Sequence, residues 1–203
     1  MRVGVFGGTF DPVHLVHLII AEQCREQANL DQVWFIPAAR PPHKQDRQLT
    51  PFAQRVEMLQ LATAGHAAFR VDELEKDRPG LSFTADTLEE LHRRHVDAEL
   101  FLIIGSDCLP DLPRWHEPAR IVGAATLAIV ARPGWTVWPA ERLRVALQIA
   151  PDKPFRHVVI SMPLIDVSSS DLRQRVAGGR SIRYFAPRAV ECYIENHHLY
   201  QLF

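Results

Sequence analysis

The stretch Val3-Gly4-Val5-Phe6-Gly7-Gly8-Thr9-Phe10-Asp11-Pro12-Val13-His14-Leu15-Val16-His17 constrains the fold more than any other part of this chain. A short apolar run starts beside Met1, breaks at two glycines, and passes Asp11-Pro12 into a segment whose apolar residues Leu15, Leu18 and Ile19 recur at helical spacing. The pattern predicts strand, tight loop, helix. Gly7 and Gly8 at such a junction let a ligand approach the backbone, and the unpaired N–H groups of the helix's first turn, reached through Thr9 and Phe10, favour an anion. A phosphate is the expected guest. His14 and His17 share a face of that first turn, where two imidazoles can donate to phosphate oxygens. Gly-Gly before Asp-Pro is also ordinary strand-to-helix punctuation, and paired histidines are often a solvated face. Their concurrence in one short stretch is more specific than either alone. The loop is neither a G-x-G-x-x-G dinucleotide fingerprint nor a P-loop, since no Gly-Lys-Ser/Thr follows.

The rest of the chain repeats the alternation. Strands are expected at Gln32–Pro37, Phe69–Asp72, Glu99–Ile104, Thr126–Val130 and His157–Met162. Helices are expected after Thr50-Pro51, with Thr50 as cap and Phe52, Val56, Leu59 and Leu61 as its apolar stripe, and after Ser82 and Thr84, whose hydroxyls suit capping. Two more follow Ser168 and Pro187. Arg55 reads as a surface charge, and the charged run Glu73–Leu81 as a mobile loop ending in Pro79-Gly80. The fold class that follows is α/β: a Rossmann-like, doubly wound, mainly parallel sheet with helices on both faces, in a single domain over residues 1–203. A chain of 203 residues, 47% of them hydrophobic, is enough for one such core. With a net charge of −1 no global basic field argues for nucleic acid, and no apolar run reaches the roughly 18 residues of a membrane span. The first strand leaves no room for a signal peptide, so a cytoplasmic location is expected. Cys24, Cys108 and Cys192 contain no C-x-x-C pair and read as reduced, buried thiols. The segment from Trp135 to Asp152 is where a homo-oligomer would find contacts.

Several loops beyond strand ends carry candidate ligand groups, because open parallel sheets bind ligands there. The first, Ala38 to Arg47, is stiffened by Pro41-Pro42 and contains Lys44, one of only three lysines. Asp107 follows Gly105 and Ser106; it could bind a ligand or cap a helix. Trp115 lies in a proline-rich loop where an indole could stack on an aromatic ring, though a lone Trp is usually packing. Arg132, before Pro133-Gly134, could hold a phosphate through its planar fork or pair on the surface. Ser168-Ser169-Ser170-Asp171 has the order of a capping box, and with Arg173 one turn on it also offers a second anion site.

Gly7-Gly8-Thr9-Phe10-Asp11-Pro12-x-His14-x-x-His17 resembles the signature of the nucleotidyltransferase superfamily with a His-x-Gly-His motif, and the chain is most similar to its bacterial nicotinate-nucleotide adenylyltransferases. Pro42-His43-Lys44, Ser82-Phe83-Thr84-x-Asp86-Thr87-Leu88, Gly105-x-Asp107, Arg132-Pro133-Gly134 and Ser168-Ser169 with Arg173 resemble further motifs of that family, and together they cover nearly the whole chain. The resemblance implies transfer of AMP from ATP to nicotinate mononucleotide in NAD biosynthesis, with Mg²⁺ on the triphosphate and no covalent intermediate. It implies His17 at the α-phosphate, and His14 and Lys44 at the β/γ oxygens. Gly7, Gly8, Thr9, Phe10, Gly105, Asp107, Arg132, Ser168, Ser169 and Arg173 would bind ATP, and Thr84 and Trp115 the nicotinate nucleotide. The family's glycine between the histidines is Val16 here, where ATP base and ribose approach the helix, so altered or weakened ATP binding is expected. Two other readings stay open: a phosphopantetheine or other small-molecule adenylyltransferase, and a catalytically silent nucleotide-binding regulatory protein.

Overall fold

The computed structural model describes residues 1–42, 48–163 and 165–201. The N-terminal apolar run forms β1 (Arg2–Gly8), near the middle of a six-stranded sheet. From β1 the chain builds outward on one side through α1 (Leu15–Gln27), β2 (Gln32–Pro37), α2 (Phe52–Thr63) and β3 (Phe69–Val71). Next, α3 (Thr84–Arg94) carries it back across to β4 (Glu99–Gly105), and α4 (Pro118–Ala124), β5 (Thr126–Val130), α5 (Ala140–Ala146) and β6 (His157–Ile160) extend the other side. The last two helices are α6 (Ser169–Ala177) and α7 (Arg188–Asn196). Every adjacent strand pair is parallel, in the order β3-β2-β1-β4-β5-β6. The winding therefore reverses between β1 and β4, and the loops leaving their carboxyl ends diverge to open a crevice.

The period-two alternation of each central strand feeds two separate cores. Phe6, Phe101, Ile103, Ala128 and Val130 pack with α1, α2, α6 and α7; Val3, Val5, Leu100, Leu102, Ile104, Leu127 and Ile129 pack with α3, α4 and α5. Helices thus cover both faces, as the near-continuous apolar run of β4 requires. Gly4 is dictated by this packing, because a methyl there would lie 2.8 Å from Leu30 Cδ1 and 3.0 Å from Ile103 Cδ1.

The structure corrects several local expectations. β1 does not break at its glycines but pairs through them, Gly7 opposite Ile36 and Gly8 opposite Pro37. The Thr50 and Ser82 hydroxyls are not helix caps. Pro51 and Phe83 occupy the cap positions without side-chain bonds, and the Ser82 hydroxyl instead accepts from the Arg40 amide at 3.0 Å. β3 and β6 are shorter than expected. Cys24 is buried, but Cys108 and Cys192 are partly exposed; all three thiols are free. Among the described residues, no helix is long and apolar enough to cross a membrane.

Val16 is 3% exposed and belongs to the core with Ile20 and Cys24. Its methyls pack inward, which argues against their obstructing a nucleotide. Val16→Gly is therefore expected to lower stability by about 2–3 kcal/mol, from lost apolar burial and added helix-backbone freedom. Urea denaturation checks this, and an unchanged midpoint would contradict it.

Candidate active site

The β1–α1 loop delivers the two histidines. His14 is the N-cap of α1 with extended backbone (φ −143°, ψ 171°), and its amide donates to His17 Nδ1 at 3.2 Å. With Nδ1 accepting, the ring proton of His17 sits on Nε2, which makes that atom the donor. The two imidazoles stack with centroids 3.7 Å apart, and the Phe10 ring meets His17 edge-on at 5.0 Å. Phe10 is 1% exposed, so its ring supports His17 from the core side. His14 is 3% exposed, and burial, reinforced by the Arg132 charge and opposed by Asp171, lowers its pKa to about 4. It is neutral at neutral pH.

Residues from the far end of the chain reach this same loop. Ser169 Oγ donates to the Pro12 carbonyl at 2.9 Å, and Arg173 Nη1 donates to the Asp11 carbonyl at 2.6 Å. The Ser168 hydroxyl is engaged in the capping box, accepting from the Asp171 amide at 3.2 Å while donating to its carboxylate at 2.6 Å. The capping reading of Ser168 therefore holds, and the hydroxyls of Ser168 and Ser169 donate within the protein. Any anion-binding role here falls to the α6 first-turn N–H groups and to Arg173.

Beyond β4, Asp107 folds back over Gly105, where a Cβ would lie 2.1 Å from Asp107 Oδ1 and 3.0 Å from Arg132 Nε. Arg132 is oriented by its amide bond to the buried Ser106 Oγ (2.9 Å) and by its guanidinium, 3.4 Å from Asp107 Oδ2. Asp107 Oδ1 is buried and lacks a hydrogen-bond partner among the described residues, so it is an acceptor ready for a ligand hydroxyl or a metal-bound water. Asp86, His116 and Glu117 also bring potential metal ligands within 4.8 Å of one another. Arg120 pairs with both of those carboxylates and with Glu89, so its single charge offsets part of theirs.

A cavity of about 600 Å³ opens on the other side of the β1 end, and Gly7, Gly8, Thr9, Thr84 and Trp115 are among its lining. Among the described residues, chain neighbours aside, nothing lies within 4 Å of a Cβ built at Gly7, so that residue keeps the cavity floor clear. Phe83 stacks on His116 at 4.2 Å in the same wall. The expected residues thus form two compartments. Thr84 and Trp115 line an apolar cavity; Ser169 and Arg173 bond the loop that carries the stacked His14 and His17, and Arg132, paired with Asp107, acts on His14 through its charge. Gly7 to Thr9 border the first and lead into the second. Lys44 and His43 lie outside the described residues.

Two buried charges escaped the sequence reading. Arg55 is 1% exposed, not on the surface. It donates to the carbonyls of Thr9 (2.8 Å), Ala38 (2.9 Å) and Thr50 (2.9 Å), which ties the β1–α1 loop to both ends of the β2–α2 connection. Its position between Phe52, Val56 and Leu59, on the apolar face of α2, was the signal: a charge on a core-facing stripe must be buried with partners. Glu75, in the stretch expected to be loose, is 5% exposed. It accepts from the Thr87 hydroxyl at 2.5 Å and the Ala39 amide at 3.3 Å.

Comparison with known proteins gives one consistent result. The sequence model of the cytidylyltransferase-like family matches residues 5–175. A Thermomicrobium roseum protein named "Probable nicotinate-nucleotide adenylyltransferase" is 46% identical over 200 residues, covering 98% of this chain and 92% of that protein. A Thermus thermophilus protein of the same name is 46% identical over 201 residues, covering 99% of this chain and all of that one (100%). Among solved structures, Plasmodium falciparum nicotinic acid mononucleotide adenylyltransferase complexed with NaAD superposes with a TM-score of 0.80 at 19% identity, covering 98% of this chain and 97% of that one. That likeness speaks for the fold.

Arg55, a buried charge, and His14, a buried neutral ring, each carry a prediction. Arg55→Met leaves three carbonyls without their donor and should cost about 3–5 kcal/mol, with Arg55→Lys costing less because an ammonium cannot span all three. Urea titration measures both, and wild-type stability in Arg55→Met would refute the assignment. For His14, the folded ring titrates near 4 and the unfolded ring near 6.5. Between those values the unfolded chain binds the extra proton, so stability is full above pH 6.5 and falls by about 3 kcal/mol as pH drops towards 4. His14→Gln should flatten that part of the stability profile, and an unaltered slope would show that other groups produce it.

Proposed function

This chain belongs to the cytidylyltransferase-like family and, within it, to the nicotinate-nucleotide adenylyltransferases; on that premise we propose that it transfers the adenylyl group of ATP to nicotinate mononucleotide. A phosphate oxygen of the mononucleotide attacks the α-phosphorus, the bond from α-phosphorus to the α–β bridging oxygen breaks, and pyrophosphate leaves with that electron pair. Deamido-NAD is the other product. No protein atom bonds to the substrate, so the chain's contribution is alignment and charge stabilisation. The observation that carries this reading is the meeting of the paired histidines with Ser169 and Arg173, from opposite ends of the chain, on one loop beside an apolar cavity.

His17 Nε2–H donates to the α-phosphate as negative charge gathers on its oxygens. His14, neutral and stacked beside it, is directed to the β/γ phosphates with Arg132 and Lys44. Arg173 and the start of α6 hold the remaining phosphate oxygens, and Asp107 takes a ribose hydroxyl or a metal-bound water. Mg²⁺, when bound, would supply charge neutralisation of the triphosphate, and Asp107, whose Oδ1 has no hydrogen-bond partner among the described residues, would hold a water of its shell. Thr84 and Trp115 receive the nicotinate nucleotide, the indole stacking on the pyridine ring. An acceptor site built from backbone N–H groups takes a carboxylate and leaves an amide's NH₂ unpaired, which favours nicotinate over nicotinamide.

A pyrophosphate-release assay with ATP, Mg²⁺ and a panel of acceptors is the test. Nicotinate mononucleotide should give the highest kcat/KM, ahead of nicotinamide mononucleotide and phosphopantetheine. His17→Ala should lower kcat about 10²–10³-fold, the usual effect of removing a transition-state donor. Equal rates in the two proteins would remove His17 from the mechanism, and a faster rate with another acceptor would overturn the substrate assignment.

A further inference from the structure

We propose that Tyr200, near the C-terminus, is a positioning residue for the nucleotide end of the active site. Its phenol donates to Asp11 Oδ1 at 2.6 Å, across almost the entire length of the chain. Asp11 is 2% exposed and stands at a junction. Its Oδ2 accepts from the Thr50 amide at 3.3 Å, and its carbonyl accepts from Arg173 at 2.6 Å. The backbone of Tyr200 adopts a left-handed conformation, φ 61°, which a bulky residue rarely takes unless its surroundings hold it there. Burial and the Asp11 carboxylate both push the phenol pKa up, so the hydroxyl stays a donor across the working pH range.

The consequence for ATP concerns Arg173. Its Nη2 is held by Ser170 Oγ at 3.1 Å and its Nη1 by Asp11, so the direction of the guanidinium is set by where the Asp11 backbone lies. Without the phenol, the buried Asp11 carboxylate keeps one long bond from Thr50 and draws on the cations around it; Arg55 is already committed to three carbonyls, which leaves Arg173. Arg173 already bonds the Asp11 carbonyl at 2.6 Å, so its guanidinium stands beside that same residue and is within reach of capture. A captured Arg173 is withdrawn from the triphosphate. Tyr200 thus satisfies an anion that would otherwise compete with the substrate, without touching the substrate itself. This inference rests on the proposed placement of ATP against Arg173.

Tyr200→Phe removes one hydroxyl and keeps the ring. Calorimetric titration with Mg·ATP should show Kd rising about tenfold, the effect of losing one charge-assisted hydrogen bond, while KM for nicotinate mononucleotide stays within about twofold. In an Arg173→Ala background the same substitution should change Kd little, because the competition has no target left. Wild-type ATP affinity in Tyr200→Phe overturns the proposal whatever its melting temperature does, and so does an equal rise in KM for both substrates. A wild-type chain that binds ATP but transfers nothing to nicotinate mononucleotide defeats the functional reading, and the calorimetric comparison still judges Tyr200. A wild-type chain that binds no ATP defeats both.

Discussion

The carbonyls of Thr9, Asp11 and Pro12 lie in the loop between β1 and α1, where neither strand nor helix can satisfy them, and each is paired by a side chain from elsewhere. Arg55 of α2 takes the first, Arg173 of α6 the second and Ser169 of α6 the third. Buried carbonyls left unpaired would cost about 1–3 kcal/mol each, so the loop is stable only when these helices are docked. Folding of the sheet and assembly of the crevice are therefore one event. The same bonds hold the loop's histidines at the start of α1 and bring Arg173 beside them.

The topology explains why this convergence is possible. The reversal between β1 and β4 leaves their loops diverging, and the crevice between them is flanked by the Asp107 turn and by Arg132 beyond β5. The two cores on opposite faces fix the helices independently, so the crevice is bordered by elements anchored in different places. Charge is arranged with economy of a particular kind. Burial and Arg132 keep His14 uncharged, Arg120 offsets part of the acidic cluster at the rim of the cavity, and Asp107 keeps one carboxylate oxygen without a partner among the described residues. Cationic and neutral donors then dominate the phosphate end.

Much of this was legible in the chain because the signals were periodic. The apolar run Glu99 to Ile104 announced a strand covered on both faces, and Ser168-x-x-Asp171 a capped helix; both are found. The errors lie where a side chain answers a distant partner. Thr50 and Ser82 looked like caps by local rules, but their backbone or hydroxyl groups bond to Asp11 and Arg40 across the fold. Arg55 looked like a surface charge because its three acceptors are backbone carbonyls, which no residue pattern displays. Val16 was expected at the nucleotide by analogy with a glycine, whereas the helix turns it into the core. Glu75 was lost in a charged run for the same reason as Arg55: burial is a property of the packed neighbours, not of the run.

The central claim is that the histidine pair of α1 and the arginine of α6 grip a single nucleotide. The direct measurement is a crystal structure with a non-hydrolysable ATP analogue and Mg²⁺. The account predicts His17 Nε2 within hydrogen-bond distance of an α-phosphate oxygen and the Arg173 guanidinium on the phosphates of that same molecule. A nucleotide held by one of these groups with the other turned away, or seated wholly outside the crevice between β1 and β4, would contradict it.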